Sequence, residues 1–78
     1  MPRSSTTADF KQDWKARLQL ALQTKGISQR ELARLCNLGS TSVYHSLQPD
    51  SDVRLSTIYL YADRLGVSPH WLVFGKEA

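Results

Sequence analysis

The sequence is nearly free of cysteine and contains no long apolar run. Its single cysteine, Cys36, cannot form an internal disulfide, so packing must stabilise the fold, as in a cytosolic protein. No apolar stretch approaches the roughly 20 residues of a membrane-spanning helix, and the first residues lack the pattern of a secretory signal. These absences predict a cytoplasmic protein without a membrane partner.

The residue sets that catalysis and metal binding require are also missing. The chain has no combination of nucleophile, base and acid, no paired metal ligands and no glycine-rich phosphate loop. His45 and Cys36 fall on different faces of their motif, and His70 has no second ligand nearby in sequence. A chain this small buries only about 60–65% of its unfolded surface, which leaves little room for an active site. The sequence predicts a protein that is not an enzyme and takes no metal, cofactor or small-molecule substrate.

Charge is present, and it is unevenly distributed. The formal net charge is +3. Residues 1–36 contain seven cations and three anions, whereas residues 37–78 contain three cations and four anions. A basic half suits a surface that lies against phosphates, and the alternative is a set of solvated helix faces. Charge alone leaves these two interpretations open.

Helix signals recur along the chain, and strand-like alternation persists nowhere. The apolar spacing predicts five short helices, at about 8–24, 29–36, 40–47 and 55–65, with the fifth beginning at Ser68-Pro69. The expected organisation is one all-α domain at 8–75, with a flexible amino-terminal arm at 1–7 and a carboxyl-terminal tail at 76–78.

Short polar residues mark where the predicted helices begin and end. Ser28 and Glu31 have the spacing of a capping box, and Ser68 can cap a helix whose first turn holds proline. Asn37 tolerates the left-handed backbone that ends a helix, as does Gly66. These signals predict sharp helix ends rather than gradual fraying.

Apolar residues at helical spacing predict the core. The expected core residues are Phe10, Trp14, Leu18, Ala21, Leu22, Leu32, Ala33, Leu35, Cys36, Leu38, Val43, Leu47, Leu55, Ile58, Tyr59, Ala62, Leu65, Trp71, Leu72 and Phe74. Leu38 is expected to plug the corner after the second helix. Cys36 is interpreted as a core residue and not as a redox sensor.

A tight turn at 37–39 separates the second predicted helix from the third, which is the helix-turn-helix arrangement. Ala33 is small where the two helices would cross, Asn37 can turn the chain, and Val43 can pack back into the crossing. This packing leaves the opposite face of the third helix free to project into a groove.

The chain resembles the Cro and lambda-repressor family of bacterial and phage regulators from about Phe10 to Gly75. The matching residues are Ile27 to Ala33, Leu38 to Val43, the set Leu55, Ile58, Ala62, Leu65, Gly66 and Val67, and the closing segment Val67 to Gly75. The resemblance implies a compact five-helix lambda-repressor-like domain with its helix-turn-helix at about 29–47.

The sequence departs from the family pattern in three places. Asn37 stands in the turn where the family usually has glycine, and Ser46 stands where a large apolar residue is usual. Leu47, the next residue, is expected to supply the buried apolar side chain in place of Ser46. The following loop carries Asp50 and Asp52 where the family often has basic residues, which weighs against phosphate contact through this loop.

The resemblance implies that the third helix enters the major groove of double-stranded DNA. Carried over by position, its base-reading residues are Ser40, Thr41, Tyr44 and His45. The candidate phosphate contacts are Gln29, Arg30, Lys25, Arg17, Arg54 and Gln48, and Arg3 is a candidate contact on the arm. Ser40 has a second interpretation, as the cap of the third helix.

The function implied is a transcriptional regulator, most simply a phage or prophage repressor that binds a palindromic operator as a dimer. The candidate dimer contacts are Trp71, Val73 and Phe74, with closure of the monomer core as the alternative. A toxin-antitoxin antitoxin, or a protein-interaction module that uses the same fold without DNA, are other interpretations. The sequence leaves open whether it is a complete Cro-like protein or the DNA-binding part of a longer repressor.

Overall fold

Five helices and no strand make up residues 7–75, the part of the chain that the computed structural model describes, with side chains described from residue 13 onward. The helices are α1 (Thr7–Lys25), α2 (Gln29–Leu35), α3 (Ser42–Ser46), α4 (Leu55–Leu65) and α5 (Pro69–Phe74). The all-α prediction is confirmed. Thr7 is already helical, and the rest of the predicted arm, together with the tail, lies outside the described residues.

The turn after α2 is built on Asn37, as predicted. Asn37 has a φ of +59°, and the N–H of Leu38 donates to the carbonyl of Ala33 at 2.9 Å. This six-to-one hydrogen bond across a left-handed residue satisfies a carbonyl that the end of the helix would otherwise leave unpaired. Another six-to-one hydrogen bond closes α1 across Gly26, and a third closes α4 across Gly66. The distance from donor nitrogen to acceptor oxygen is 3.0 Å in each.

Two serines begin helices in the way their positions predict. The Ser28 hydroxyl accepts a hydrogen bond from the Glu31 N–H at 3.0 Å, and the Ser68 hydroxyl accepts one from the Trp71 N–H at 3.1 Å. The second half of the predicted capping box is different, because the Glu31 carboxylate forms an ion pair with Arg34. Both short helices therefore begin at a side-chain cap.

One continuous core joins all five helices. The buried apolar residues are Trp14, Leu18, Ala21, Leu22, Leu32, Ala33, Cys36, Val43, Leu47, Ile58, Tyr61, Ala62, Leu65, Leu72 and Val73. The long α1 packs against α5, α4 packs against α5 and α2, and α2 packs against α3. Within the motif, α2 thus packs against both α4 and α3.

The buried face of α4 differs from the prediction in three residues. Tyr59, expected in the core, is 41% exposed, and Leu55 is exposed as well, whereas Tyr61 is only 1% exposed. The buried stripe runs from Ile58 through Tyr61 and Ala62, so Tyr59 falls on its edge. Because Tyr59 and Tyr61 are only two positions apart, the sequence alone does not show which of the two is buried.

The core near the turn of the motif is smaller than predicted. Cys36 is buried, as expected, and desolvation by burial raises the pKa of its thiol, while Arg64 nearby lowers it and Asp63 raises it. Leu35 and Leu38 remain partly at the surface, so Leu38 does not plug the corner. The hydrogen bonds of the turn close this corner without a large apolar side chain.

Candidate nucleic-acid interface

The third helix has one buried face and one exposed face. Val43 and Leu47 point into the core. The four predicted base-reading residues, Ser40, Thr41, Tyr44 and His45, are all exposed. Tyr44 and His45 are exposed on α3 itself, and Ser40 and Thr41 are exposed in the turn just before it.

The amino-terminal end of α3 lies two residues later than predicted. Thr41 is the residue before the helix, and its side chain makes no capping hydrogen bond. The turn is closed instead by the Ser42 N–H, which donates to the carbonyl of Gly39 at 2.9 Å. Ser40 is therefore not the cap of the helix, and the Thr41 hydroxyl is not used in capping. This end of α3 presents hydroxyl groups to solvent.

Two aromatic rings form the middle of this surface. Tyr44 and His45 meet edge to face, with ring centroids 5.5 Å apart and planes inclined by 71°. The phenol can donate or accept a hydrogen bond, and a neutral imidazole offers one donor and one acceptor. Residues 40–47 contain no lysine or arginine. The surface is suited to hydrogen bonding with mixed donors and acceptors rather than to charge attraction.

The inner side of α3 is anchored to α4 by a hydrogen bond that the sequence did not reveal. The Ser46 and Tyr61 hydroxyl oxygens lie 2.7 Å apart, at a partly buried position. Desolvation by burial raises the pKa of the Tyr61 phenol, while the hydrogen bond with Ser46 lowers it and Cys36 raises it. Tyr61 thus partners the polar residue that departs from the family pattern. Leu47 fills the neighbouring apolar position, as predicted.

The carboxyl-terminal end of α3 is held by a lysine that lies almost entirely inside the protein. Lys15 on α1 is 5% exposed. Its ammonium group donates to the carbonyl of Gln48 at 2.5 Å and to that of Ser51 at 2.9 Å. The sequence reasoning missed this residue. A usable signal was its position at helical spacing with Leu18 and Leu22, on the buried stripe of α1.

Gln48, a predicted phosphate contact, is engaged with its own helix. Its side-chain amide donates to the carbonyl of Tyr44 at 3.1 Å, and its backbone carbonyl accepts from Lys15. The residue therefore helps to close α3. A phosphate contact through the same N–H would require this hydrogen bond to break.

Arg17, another predicted phosphate contact, has a different role in the structure. Its guanidinium donates to the carbonyl of Leu72 at 2.7 Å and to that of Val73 at 2.8 Å, at the end of α5. Arg64 likewise donates to the carbonyl of Leu35 at 3.2 Å, at the end of α2. Cations stabilise the last turn of a helix because unpaired carbonyls and the helix dipole are negative there. Part of the positive charge is thus used inside the fold.

The remaining candidate phosphate contacts lie at the surface around the motif. Arg30, Lys25 and Arg54 are exposed, and Gln29 is half-buried at the first position of α2. Beside them, a groove of about 510 Å³ runs between the start of α2 and the start of α3. It is lined by Ser28, Arg30, Glu31, Arg34, Leu38 and Ser40. The groove thus contains cationic and hydroxyl groups between α2 and Ser40, just before α3.

The predicted dimer contacts do not form one surface. Val73 is buried in the core, which removes it as a contact, and Trp71 is half-buried against the core. Phe74 is 44% exposed, with its ring 4.9 Å from the ring of His70. Phe74 is therefore the exposed member of the predicted set. Arg3 lies outside the described residues.

Neither a metal-binding cluster nor a membrane-spanning helix is found in the described part of the chain. Among the side chains of residues 13–75, no three of histidine, cysteine, aspartate or glutamate come together in a way that could hold a metal ion. Within residues 7–75, no helix is both long enough and apolar enough to cross a membrane.

Comparison with known proteins identifies a structural relative. No protein-family model and no curated protein sequence matches the chain. Among solved structures, it is similar to the crystal structure of the hypothetical transcription factor NHTF from Neisseria, with a TM-score of 0.75. The two are 31% identical, and the match covers 95% of this chain and 86% of that chain. The protein described here belongs to the family of this hypothetical transcription factor.

Proposed function

We propose that this protein is a transcriptional regulator that binds double-stranded DNA by placing α3 in the major groove. The observation that carries the proposal is the exposed surface formed by Tyr44 and His45 on α3 and by Ser40 and Thr41 in the turn just before it. The opposite face is fixed by Val43 and Leu47 in the core. The relative in Neisseria is a hypothetical transcription factor, and its similarity supports the same class of function.

The chemistry of this face favours modest discrimination at each base. Hydroxyl groups both donate and accept, so Ser40 and Thr41 accept more than one base partner. The strongest pairing in the major groove, arginine with guanine, is absent because residues 40–47 have no arginine. Phosphate contacts and the deformability of the duplex would therefore supply much of the selectivity.

Phosphate contacts in this proposal come from residues next to α3 rather than on it. Arg30 and Gln29 on α2 and the exposed Lys25 and Arg54 are the side chains available for them. Each phosphate neutralised contributes about −0.9 to the slope of log K against log salt concentration. Steep salt dependence would thus separate a DNA-binding protein from a protein-interaction module that uses the same fold.

The finer proposal is a repressor of the Cro and lambda-repressor type, in the bacterial or phage-infected cytoplasm and without enzymatic activity. One domain of this size reads only a few base pairs. Two copies on half-sites about 34 Å apart would read a palindromic operator. Phe74, which is exposed, is the side chain through which we propose that the two copies meet.

Selection of bound duplexes from a random DNA pool tests this function. The proposal expects a recovered palindrome whose half-site spacing is close to one helical turn, or a multiple of it. Affinity for the recovered duplex should fall linearly in log K as log salt rises. Recovery of no preferred sequence, together with binding that is insensitive to salt, would refute the proposal.

A further inference from the structure

Lys15 occupies an unusual position for a charged residue. Its side chain is 5% exposed, although it belongs to the basic half of the chain. The ammonium group has two carbonyl partners, Gln48 and Ser51, which lie 33 and 36 residues further along the chain. A buried cation is tolerated only where its donors are satisfied. These contacts tie the first helix to the end of α3 and to the loop that follows.

The third helix depends on such outside support. It has five residues, little more than one turn, and no side-chain cap at its beginning. A single helical turn is not stable on its own, because nucleation fixes several residues for few hydrogen bonds. Its carboxyl-terminal end therefore takes its position from the contacts that surround it.

A chain of contacts connects Lys15 to the proposed base-reading residues. The ammonium group holds the Gln48 carbonyl, and the Gln48 amide in turn donates to the carbonyl of Tyr44. Gln48 N–H also donates to the carbonyl of His45 at 3.2 Å. Displacement of Gln48 would therefore move the last turn of α3, where Tyr44 and His45 lie.

We propose that Lys15 is a positioning residue for DNA recognition, which fixes the end of α3 without touching DNA itself. The inference rests on the proposed function of α3 and adds a residue of α1 to it. It differs from a phosphate contact, the usual role of a lysine in a basic helix of a DNA-binding protein, because the ammonium group is enclosed.

Lys15→Met is the variant that separates these roles. Methionine keeps an unbranched apolar stem of similar length and removes all three donors. The variant should fold, because an apolar side chain is readily accommodated at a buried position and the Gln48 carbonyl retains the N–H of Ser51 at 3.0 Å. Arg17→Met is the matched control, because it removes the equivalent cap from the end of α5.

The first measurement is amide hydrogen exchange on the free protein. Lys15→Met should accelerate exchange at Leu47, Gln48 and Ser51, whose N–H groups close the end of α3 and the following loop. Exchange at Gly75, which closes α5, should stay as in the wild type. Arg17→Met should accelerate exchange at Gly75 and leave exchange at the end of α3 as in the wild type. Unchanged exchange at the end of α3 in Lys15→Met would overturn the inference.

The second measurement is binding to a single half-site of the duplex recovered from the random pool, at several salt concentrations. Lys15→Met should bind about tenfold more weakly, equal to about 1.4 kcal/mol, with the salt slope of the wild type. Unchanged affinity, or a slope smaller by about 0.9, would overturn the inference, since the latter marks a lost phosphate contact.

A wild-type protein that binds no duplex would overturn the proposed function, and with it the DNA-binding part of this inference. If the wild type binds the duplex and Lys15→Met binds it equally tightly, the inference about Lys15 is overturned while the proposed function stands.

Discussion

Replacement of Tyr61 by phenylalanine should destabilise the protein by removing the hydrogen bond that joins α4 to α3. The bond spans 2.7 Å to the Ser46 hydroxyl, and the ring of Tyr61 is fully buried beside Trp14, with ring centroids 6.4 Å apart. A neutral hydrogen bond contributes about 0.5–1.5 kcal/mol net. Phenylalanine keeps the ring and its packing, so the expected loss of unfolding free energy is about 1 kcal/mol.

Urea unfolding followed by circular dichroism measures this loss, and Ser46→Ala provides the partner variant. Ser46→Ala should cost at least as much as Tyr61→Phe, because it leaves a phenol oxygen without its partner at a fully buried residue. The double variant should cost clearly less than the two single changes together, since it removes both polar groups. Strictly additive effects would show that the two hydroxyls do not stabilise each other, and would refute this account of the α3 anchor.

The same pair gives a pH dependence. Burial raises the pKa of Tyr61 in the folded protein above its value in the unfolded chain. The corresponding stability is present in full below the unfolded pKa, near 10, and is lost as the pH rises through the folded pKa. The unfolding free energy of the wild type should therefore fall above about pH 10. Tyr61→Phe should lack this part of the fall, while the buried Cys36 thiol contributes its own loss in both proteins.

Two further predictions concern the turn and the surface of α5. Asn37→Ala should destabilise the protein by about 1 kcal/mol, because alanine is strained at a φ of +59°, whereas Asn37→Gly should be neutral or stabilising in the same urea titration. An equal cost for both would contradict the role given to this residue. Phe74→Glu should leave the fold intact, since the side chain is 44% exposed, and should weaken binding to a full palindrome more than to a half-site. Equal effects on the two duplexes, with unchanged sedimentation, would remove Phe74 from the dimer contact.

Local signals in the sequence predicted most of the helix ends. The positive φ at Asn37, the caps at Ser28 and Ser68, and the bounds of α4 were all predictable because each depends on a few neighbouring residues. The start of α3 was placed two residues early because Ser40 is as good a cap by composition as the residues that follow. Hydroxyl-rich segments do not by themselves mark where a helix begins.

Contacts between distant parts of the chain could not be predicted in the same way. Arg17 was predicted to contact phosphate and Lys15 was given no role, yet both donate to distant backbone carbonyls. Lys15 reaches carbonyls 33 and 36 residues away, and Arg17 reaches carbonyls 55 and 56 residues away. Such pairings depend on how the helices pack, which the spacing within one helix does not encode. The Ser46–Tyr61 hydrogen bond is another example, because it replaces an expected apolar contact with a polar one.

The exposure of the candidate base-reading residues was predictable for a simpler reason. Val43 and Leu47 define the buried side of α3, so Tyr44 and His45 face outward, whereas Ser46 lies toward Tyr61. Ser40 and Thr41 are exposed in the turn just before the helix. Their position on the surface is shown by the structure, whereas their contacts with bases remain a prediction.

The most direct test of the account compares the wild type with Thr41→Ala and His45→Ala on the selected duplex and on a scrambled duplex of the same length. Gln19→Ala, an exposed residue of α1 outside the proposed contacts, is the control. We predict that each α3 variant loses about fivefold to tenfold of its preference for the selected duplex, equal to about 1–1.4 kcal/mol, while its affinity for the scrambled duplex is nearly unchanged. Full preference retained by both variants would contradict the claim that the exposed face of α3 reads DNA.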